Sequence, residues 1–165
     1  KPSNEQHHWL FDFNRKSLFH RNLTAARDIA SAMQYLHNQG IIHRDLKPAN
    51  IRFDNQNIIK VLDFGLATKL SPTDKNNDRN YKLNGGVGTC RYMAPEVAKC
   101  KPYNKLADVY SFGILMWQML SLQVPFQGYN CIEWIKAVVF GGNDNRVLAI
   151  SIENTHVPML VREHK

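Results

Sequence analysis

The tract from residue 105 to residue 122 constrains the fold most strongly, because its apolar residues lie on nearly every side of a helix. A helix of that kind has to be enclosed by other elements. Its most apolar part, residues 109–120, contains Ser111 and Gln118 and is shorter than the roughly 20 residues that a membrane-spanning helix needs. The sequence therefore predicts an interior helix of a globular domain and no membrane segment in this chain.

A long amphipathic helix is predicted from residue 17 to residue 37, where apolar residues recur at three- and four-residue spacing. Ser17 can cap its start, and Gly40 can end it. A further helical stretch is expected around residues 132–140. Helices therefore supply most of the predicted regular structure.

Strand-length apolar runs follow the long helix, at residues 41–42, 51–53 and 58–62. The turn-forming sequence at 54–57 separates the last two runs, so they predict a β-hairpin. Residues 66–93 are polar, rich in Asn and Gly and too long for an ordinary connector, which leaves a functional loop or disorder. The expected fold class is mostly α with short β-hairpins.

The composition fits one globular unit able to bury a core, since 44% of the 165 residues are apolar and 21% are charged. A formal net charge of +7 could indicate a nucleic-acid partner, but the Lys and Arg residues are scattered and form no basic tract. Binding to nucleic acid is therefore not expected.

Cysteine and histidine usage gives no sign of a metal site. Cys90, Cys100 and Cys131 are odd in number and lack C-x-x-C spacing, which argues against a disulfide framework and a zinc knuckle. A reducing, cytoplasmic location is the expectation. The histidines other than His43 form no helical pair around a glutamate, so His37 and the others are expected at the solvated surface.

Chemistry-bearing residues concentrate in two short segments, His43-Arg44-Asp45-Leu46-Lys47-Pro48-Ala49-Asn50 and Asp63-Phe64-Gly65. Taken singly, the acids could be turn or capping residues and Asn50 a loop amide. Their joint spacing between short strands favours a functional site. Together they resemble the catalytic loop and the metal-binding turn of eukaryotic-type protein kinases.

This resemblance implies phosphoryl transfer from ATP, and the residue types suit the implied roles. Asn50 and Asp63 carry oxygen ligands of the kind that Mg²⁺ prefers and would hold the metal. Asp45 would accept or orient the proton of the attacking hydroxyl, and Lys47 would bring positive charge to the transferred γ-phosphoryl group. The structural and regulatory positions of the same motifs are occupied by His43, Arg44, Phe64 and Gly65.

The segment Gly88-Thr89-Cys90-Arg91-Tyr92-Met93-Ala94-Pro95-Glu96 resembles the end of a kinase activation segment, where a protein substrate docks. Thr89 matches the threonine that contacts the catalytic aspartate and lysine in serine/threonine kinases, although a threonine in a Gly-rich loop needs no such role. Glu96 matches a glutamate that pairs with an arginine near the end of the lobe. Either Arg146 or Arg162 substitutes for that arginine, or the sequence is truncated, which we favour.

Asp108 opens the apolar helix and resembles the aspartate that hydrogen-bonds the backbone of the kinase catalytic loop. The residues after it resemble the tyrosine-kinase-like branch of serine/threonine kinases.

Two positions depart from the family pattern. Gly85 stands where a phosphate acceptor would serve Arg44, and the nearest earlier hydroxyl is that of Tyr81. Arg52 replaces the small or apolar floor under the adenine ring, and it either points to solvent or stacks on the ring.

Nothing before residue 17 resembles the glycine-rich loop or the lysine strand of a kinase N-terminal lobe. The expected architecture is a kinase-like C-terminal lobe over residues 1–165, part of an α+β two-lobed fold, truncated at both ends and without the N-terminal lobe that would be its partner. The implied function is a signalling protein serine/threonine kinase that uses Mg-ATP on protein substrates. The alternative is a catalytically silent fragment that acts as an interaction module.

Overall fold

The computed structural model describes residues 4–71 and 80–140. Helices dominate these residues, and two small antiparallel sheets accompany them, which confirms the expected fold class. In chain order the elements are α1 (Asn4–Asn38), β1 (Ile41–Ile42), β2 (Ile51–Phe53), β3 (Ile59–Val61), β4 (Thr68–Lys69), α2 (Pro95–Ala98), α3 (Leu106–Ser121) and α4 (Cys131–Trp134).

Helix α1 is longer than the sequence predicts, because it begins at Asn4 and places Ser17 in its interior rather than at its N-cap. Neither Gly nor Pro occurs between residues 4 and 39, so no residue in this stretch stops the helix. Its end is as predicted. Gly40 adopts a left-handed φ of 71° and its N–H donates to the carbonyl of His37 at 3.2 Å.

The two sheets bracket the predicted catalytic loop. Strands β2 and β3 form the predicted hairpin in the register Ile51↔Val61, and Asp54 Oδ1 holds its turn by accepting two main-chain N–H bonds at 2.9 Å. Strand β1 pairs with β4 in the register Ile41↔Lys69. Strand β4 was not predicted, because two residues in a polar tract show no hydrophobic alternation. This pairing returns the chain to the catalytic loop after Gly65.

Two apolar clusters pack beneath the two sheets and the segments that connect them to α3. One lies between α1, α3 and the β2–β3 hairpin and includes the buried residues Ile29, Met33, Leu46, Ile59 and Leu115. The other joins the end of the activation segment to α3 and α4 and includes Tyr92, Met93, Tyr103, Ile114, Phe126 and Trp134. The catalytic loop is therefore held by a rigid base.

Helix α3 has nearly the predicted bounds but is not enclosed on all sides by the described residues. Asp108, Ile114 and Leu115 are buried, whereas Leu106 is 60% exposed and Val109 is 52% exposed. The prediction that this helix is enclosed on all sides is wrong for the described residues, because the elements that pack against it, α1 and the turn at 90–92 among them, leave Leu106 and Val109 largely open. No helix within the described ranges has the length and apolarity to cross a membrane.

The last described element confirms the helix expected around 132–140. A capping box at Asn130 and Glu133 starts α4, and a π-helical stretch, Ile135–Phe140, continues it. A disulfide joins Cys90 to Cys131, with their Cα atoms 5.8 Å apart, which corrects the expectation that the cysteines would not pair. The sequence could not reveal this pair, because its members are 41 residues apart and meet only when α4 packs beside the turn at 90–92.

Candidate active site

Asp108 anchors the catalytic loop to helix α3 from beneath. It is 1% exposed, and its carboxylate accepts main-chain N–H bonds from His43 at 2.9 Å and from Arg44 at 2.8 Å. These are the bonds that the sequence predicts for Asp108. A buried carboxylate requires such donors, so the start of the loop and the helix hold each other in place.

His37 is a third partner of Asp108 and was missed by the sequence analysis. Its Nε2 lies 2.8 Å from Asp108 Oδ2, and its side chain is only 10% exposed. The expectation that His37 belongs to the solvated surface is therefore wrong. Its place in the last turn of α1 was the available signal, because α1 packs against α3, which carries Asp108.

His43 is fully buried and connects the loop to the Asp63-Phe64-Gly65 turn. Its Nδ1 accepts the N–H of Asp45 at 3.3 Å, so its Nε2 carries the proton that it donates to the carbonyl of Leu62 at 3.0 Å. The ring of Phe64 packs edge-on against His43, with centroids 5.3 Å apart. The side chain that fixes the backbone of Asp45 therefore also fixes the entry to Asp63.

Asp45, Lys47 and Thr89 form one hydrogen-bonded cluster, although Thr89 is 44 residues from Asp45. Lys47 Nζ donates to Asp45 Oδ2 at 2.6 Å and to Thr89 Oγ1 at 2.9 Å. Thr89 donates to Asp45 Oδ1 through its main-chain N–H at 2.9 Å and its hydroxyl at 2.8 Å. Asp45, Lys47 and Thr89, to which the family resemblance assigns catalysis and specificity, are therefore in direct contact.

The charge of Asp45 follows from this environment. Burial raises the pKa of its carboxyl, but the hydrogen bonds from Lys47 and Thr89 together with the Lys47 charge outweigh burial and hold that pKa below its ordinary value of 3.8. Asp45 is thus an ionised, weakly basic acceptor near neutral pH. Such a group suits the orientation of a hydroxyl and the late acceptance of its proton better than early proton removal.

Gly88 permits the approach of Thr89 to Asp45. Its φ is 105°, and a Cβ placed on it would lie 2.5 Å from the main-chain oxygen of Arg44. Only glycine combines that backbone angle with that closeness. The sequence analysis included Gly88 in the activation-segment motif but could not assign it this role, because the clash involves a residue 44 positions earlier.

Asn50 and Asp63 present oxygen atoms suited to a hard divalent cation. Asn50 is buried and donates its Nδ2 to the main-chain oxygen of Asp45 at 2.9 Å, which leaves its carbonyl oxygen as the ligand atom. Asp63 is exposed, has a strained left-handed φ of 59° and accepts the N–H of Gly65 at 3.2 Å. Within the part of the chain that the structure describes, no three His, Cys, Asp or Glu side chains gather as a metal cluster. An amide, one carboxylate and substrate phosphates are nevertheless a fitting ligand set for Mg²⁺.

Two other sequence expectations concern Arg52 and the arginine partner of Glu96. Arg52 is exposed and its Nη1 donates to the carbonyl of Ile51 at 3.1 Å, so the solvent-facing alternative describes it. Glu96 is half-buried. Burial of Tyr110 is the main cause that raises the pKa of its hydroxyl to about 12, and the negative charge of Glu96 adds to it. The proposed arginine partners of Glu96, Arg146 and Arg162, lie outside the described residues.

Comparison with known proteins agrees with this geometry. A family model described as "Protein kinase domain" matches residues 6–153. The Arabidopsis thaliana serine/threonine/tyrosine-protein kinase HT1 is 42% identical over 116 residues, which are 70% of this chain and 28% of that protein. The Arabidopsis thaliana serine/threonine-protein kinase CTR1 is 39% identical over 122 residues, 73% of this chain and 14% of that protein. The Dictyostelium discoideum dual specificity protein kinase shkB is 43% identical over 108 residues, 66% of this chain and 16% of that protein.

The chain spans less than a third of the length of each of these relatives. The match to the family model covers most of the chain, and the relatives fit a kinase of the tyrosine-kinase-like type. The chain therefore belongs to the protein kinase family and forms part of a catalytic domain of that type.

Proposed function

We propose that this chain supplies the catalytic residues of a protein kinase that transfers the γ-phosphoryl group of Mg-ATP to serine or threonine hydroxyls of proteins. The observation that carries the proposal is the contact of Asp45 with both Lys47 and Thr89. The cluster puts a hydroxyl acceptor, a cation and a segment that docks substrate at one point. An in-line phosphoryl transfer needs these three parts to be positioned together.

The residues of the site have separate roles in the proposed transfer. Asp45 orients the substrate hydroxyl and receives its proton, and Lys47 places positive charge where negative charge develops on the transferred group. Asn50 and Asp63 would hold the magnesium ion, which when bound neutralises phosphate charge. His43 and Asp108 keep the main chain of the loop in place through the bonds described above.

Serine/threonine specificity is the finer part of the proposal. It is supported by Lys47 and by the hydroxyl of Thr89, which lies between Lys47 and Asp45. The relatives HT1 and shkB are named as a serine/threonine/tyrosine kinase and a dual specificity kinase, so tyrosine is the competing acceptor. Ala49 is exposed and provides no carboxylate that could pair with a substrate guanidinium, so no preference for upstream arginine is expected.

A degenerate peptide library and radiolabelled Mg-ATP test this proposal in a two-lobed kinase domain that contains this chain. We expect label on Ser and Thr without a requirement for arginine three residues upstream. The matched variant Ala49→Glu should introduce that arginine preference, because it supplies the missing carboxylate. Labelling dominated by phosphotyrosine, or by arginine-directed sites in the wild type, would refute the specificity. Complete absence of transfer would favour the silent interaction module instead.

A further inference from the structure

Arg44 hydrogen-bonds both the beginning of the activation segment and Tyr103, which in turn binds the later part of that segment. The segment begins at Asp63, and the Nε of Arg44 donates to the carbonyl of Leu66 near that beginning. Its Nη1 donates to the hydroxyl of Tyr103 at 3.2 Å. Because Asp108 holds the main-chain N–H of Arg44, the guanidinium extends from a fixed point. Arg44 itself adopts a left-handed φ of 69°, which its surroundings must hold against strain.

Tyr103 completes the connection to the end of the segment. The residue is 1% exposed, and its hydroxyl donates to the carbonyl of Asn84 at 2.8 Å while it accepts from Arg44. Its main chain also exchanges two hydrogen bonds with Tyr81, at 2.8 and 3.1 Å. Residues 81–84 are thus pinned to Tyr103 by three bonds, just before Gly88 brings the chain against the catalytic loop.

A phosphate acceptor does not fit at Gly85, the position that the family resemblance indicates. A Cβ placed there would lie 2.4 Å from Cα of Cys100, so no serine or threonine could stand there unless the backbone moved. The next residue, Gly86, donates its N–H to the carbonyl of Val97 at 2.8 Å. The uncharged oxygens of Leu66 and Tyr103 accept two of the guanidinium donors that could bind a phosphate.

We propose that Tyr103 is a positioning residue whose hydroxyl, through Arg44 and Asn84, keeps Thr89 on Asp45 without phosphorylation of the activation segment. This inference rests on the proposed kinase function. The substitution Tyr103→Phe would keep the buried ring but remove the hydroxyl that accepts from Arg44 and donates to Asn84. The carbonyl of Asn84 and the Nη1 of Arg44 would then lose their shared partner in a partly buried place.

The test compares wild type, Tyr103→Phe and Tyr110→Phe in a two-lobed kinase domain that contains this chain. Tyr110→Phe makes the same chemical change in a tyrosine that packs against the same cluster but lies outside the Arg44–Tyr103–Asn84 contacts. We expect about a tenfold lower kcat in Tyr103→Phe, with the KM for ATP within about twofold of wild type. The Tyr110→Phe variant should keep the wild-type kcat. A merely structural role for Tyr103 would lower the fraction of folded enzyme without this split between kcat and KM.

A second measurement needs no variant. Wild-type enzyme treated with a protein phosphatase until mass spectrometry finds no phosphate should keep its initial rate of peptide phosphorylation. An active wild type that loses its activity on this treatment, or a folded Tyr103→Phe variant with wild-type kcat, would overturn the inference and leave the proposed function intact. A wild type with no activity in any state would instead contradict the proposed function.

Discussion

Thr89 binds one oxygen of Asp45 twice, since its main-chain N–H and its hydroxyl lie 2.9 and 2.8 Å from Oδ1. The other oxygen, Oδ2, receives Lys47 Nζ at 2.6 Å. Both carboxylate oxygens therefore have donors, and the plane of the carboxylate is fixed before a substrate arrives. Fixed geometry of this kind is how a site reduces the entropic part of a reaction barrier.

The hydroxyl of Thr89 should matter more for turnover than its size. Thr89→Val keeps the shape and the main-chain N–H but removes the hydroxyl that binds Asp45 and Lys47. A hydrogen bond to a charged group contributes about 1.5–3 kcal/mol, so we expect kcat to fall roughly ten- to hundredfold. Thr89→Ser should stay within about threefold of wild type. Steady-state assays on a peptide substrate check this pair, and equal activity of the two variants would contradict the role.

Gly88 and Gly113 provide a matched pair of Gly→Ala substitutions. At Gly88 the new Cβ meets the oxygen of Arg44 at 2.5 Å and φ is 105°, so Thr89 must move away from Asp45 and kcat should fall at least about tenfold. At Gly113, inside α3, a Cβ meets nothing within 4 Å. Gly113→Ala should raise the free energy of unfolding by about 0.5–1 kcal/mol and leave kcat unchanged. Kinase assays and thermal unfolding of both variants test this pair. A fully active Gly88→Ala enzyme would contradict the close approach of Gly88 to the main chain of Arg44.

Lys47→Met should shift the titration of Asp45 to higher pH. In the wild type the folded-state pKa lies below 3.8, so the stability that Asp45 contributes is fully present above 3.8 and is lost as the pH falls through the lowered value. Without Lys47, burial raises the pKa of Asp45 against the Thr89 hydrogen bonds alone. The folded-state pKa of Asp45 should therefore lie closer to its unfolded value in the variant, and acidification should remove less stability from the variant than from the wild type. Urea unfolding across a pH series from neutral to acid measures this loss, and an equal loss of stability in the two proteins would argue against the coupling.

The 165-residue chain alone should neither bind Mg-ATP tightly nor transfer phosphate. Its sequence contains the catalytic loop but no glycine-rich loop or lysine strand to hold the nucleotide. Positioning of reactants can supply roughly 7–11 kcal/mol of a barrier, more than one acid–base group contributes. Calorimetric titration with Mg-ATP and a radiolabel assay test this prediction. Micromolar affinity together with measurable turnover would show that the missing lobe is dispensable.

The sequence was sufficient for those parts of the site that are contiguous in the chain. Residues 43–50 and 63–65 are recognisable because their spacing is fixed by local turns and short strands. The β2–β3 hairpin was equally predictable, since the Asp54 turn forms from neighbouring residues. The role of Asp108 was expected from its resemblance to the kinase aspartate, and the need of a lone buried acid for hydrogen-bond donors agreed with it.

The long-range contacts could not be predicted in this way. The bond of His37 to Asp108, the pairing of Cys90 with Cys131 and the bridge through Tyr103 all join residues far apart in sequence. Each of these contacts depends on how helices pack, which no local pattern encodes. The start of α1 was misplaced for a related reason, because a serine that could cap a helix can also lie inside one when no glycine or proline interrupts it.

Substitution of the central carboxylate tests the account most directly. Radiolabel transfer from Mg-ATP to a serine or threonine peptide is measured for wild type, Asp45→Asn and the surface control Asp28→Asn, whose carboxylate lies in an exposed pair with Arg27. We predict that Asp45→Asn lowers kcat by about 10² to 10⁴, the range for loss of a positioned acid–base group, while its thermal unfolding stays close to that of wild type. Asp28→Asn should match the wild-type rate. A folded Asp45→Asn enzyme with undiminished turnover would contradict the central claim that Asp45 receives the substrate hydroxyl.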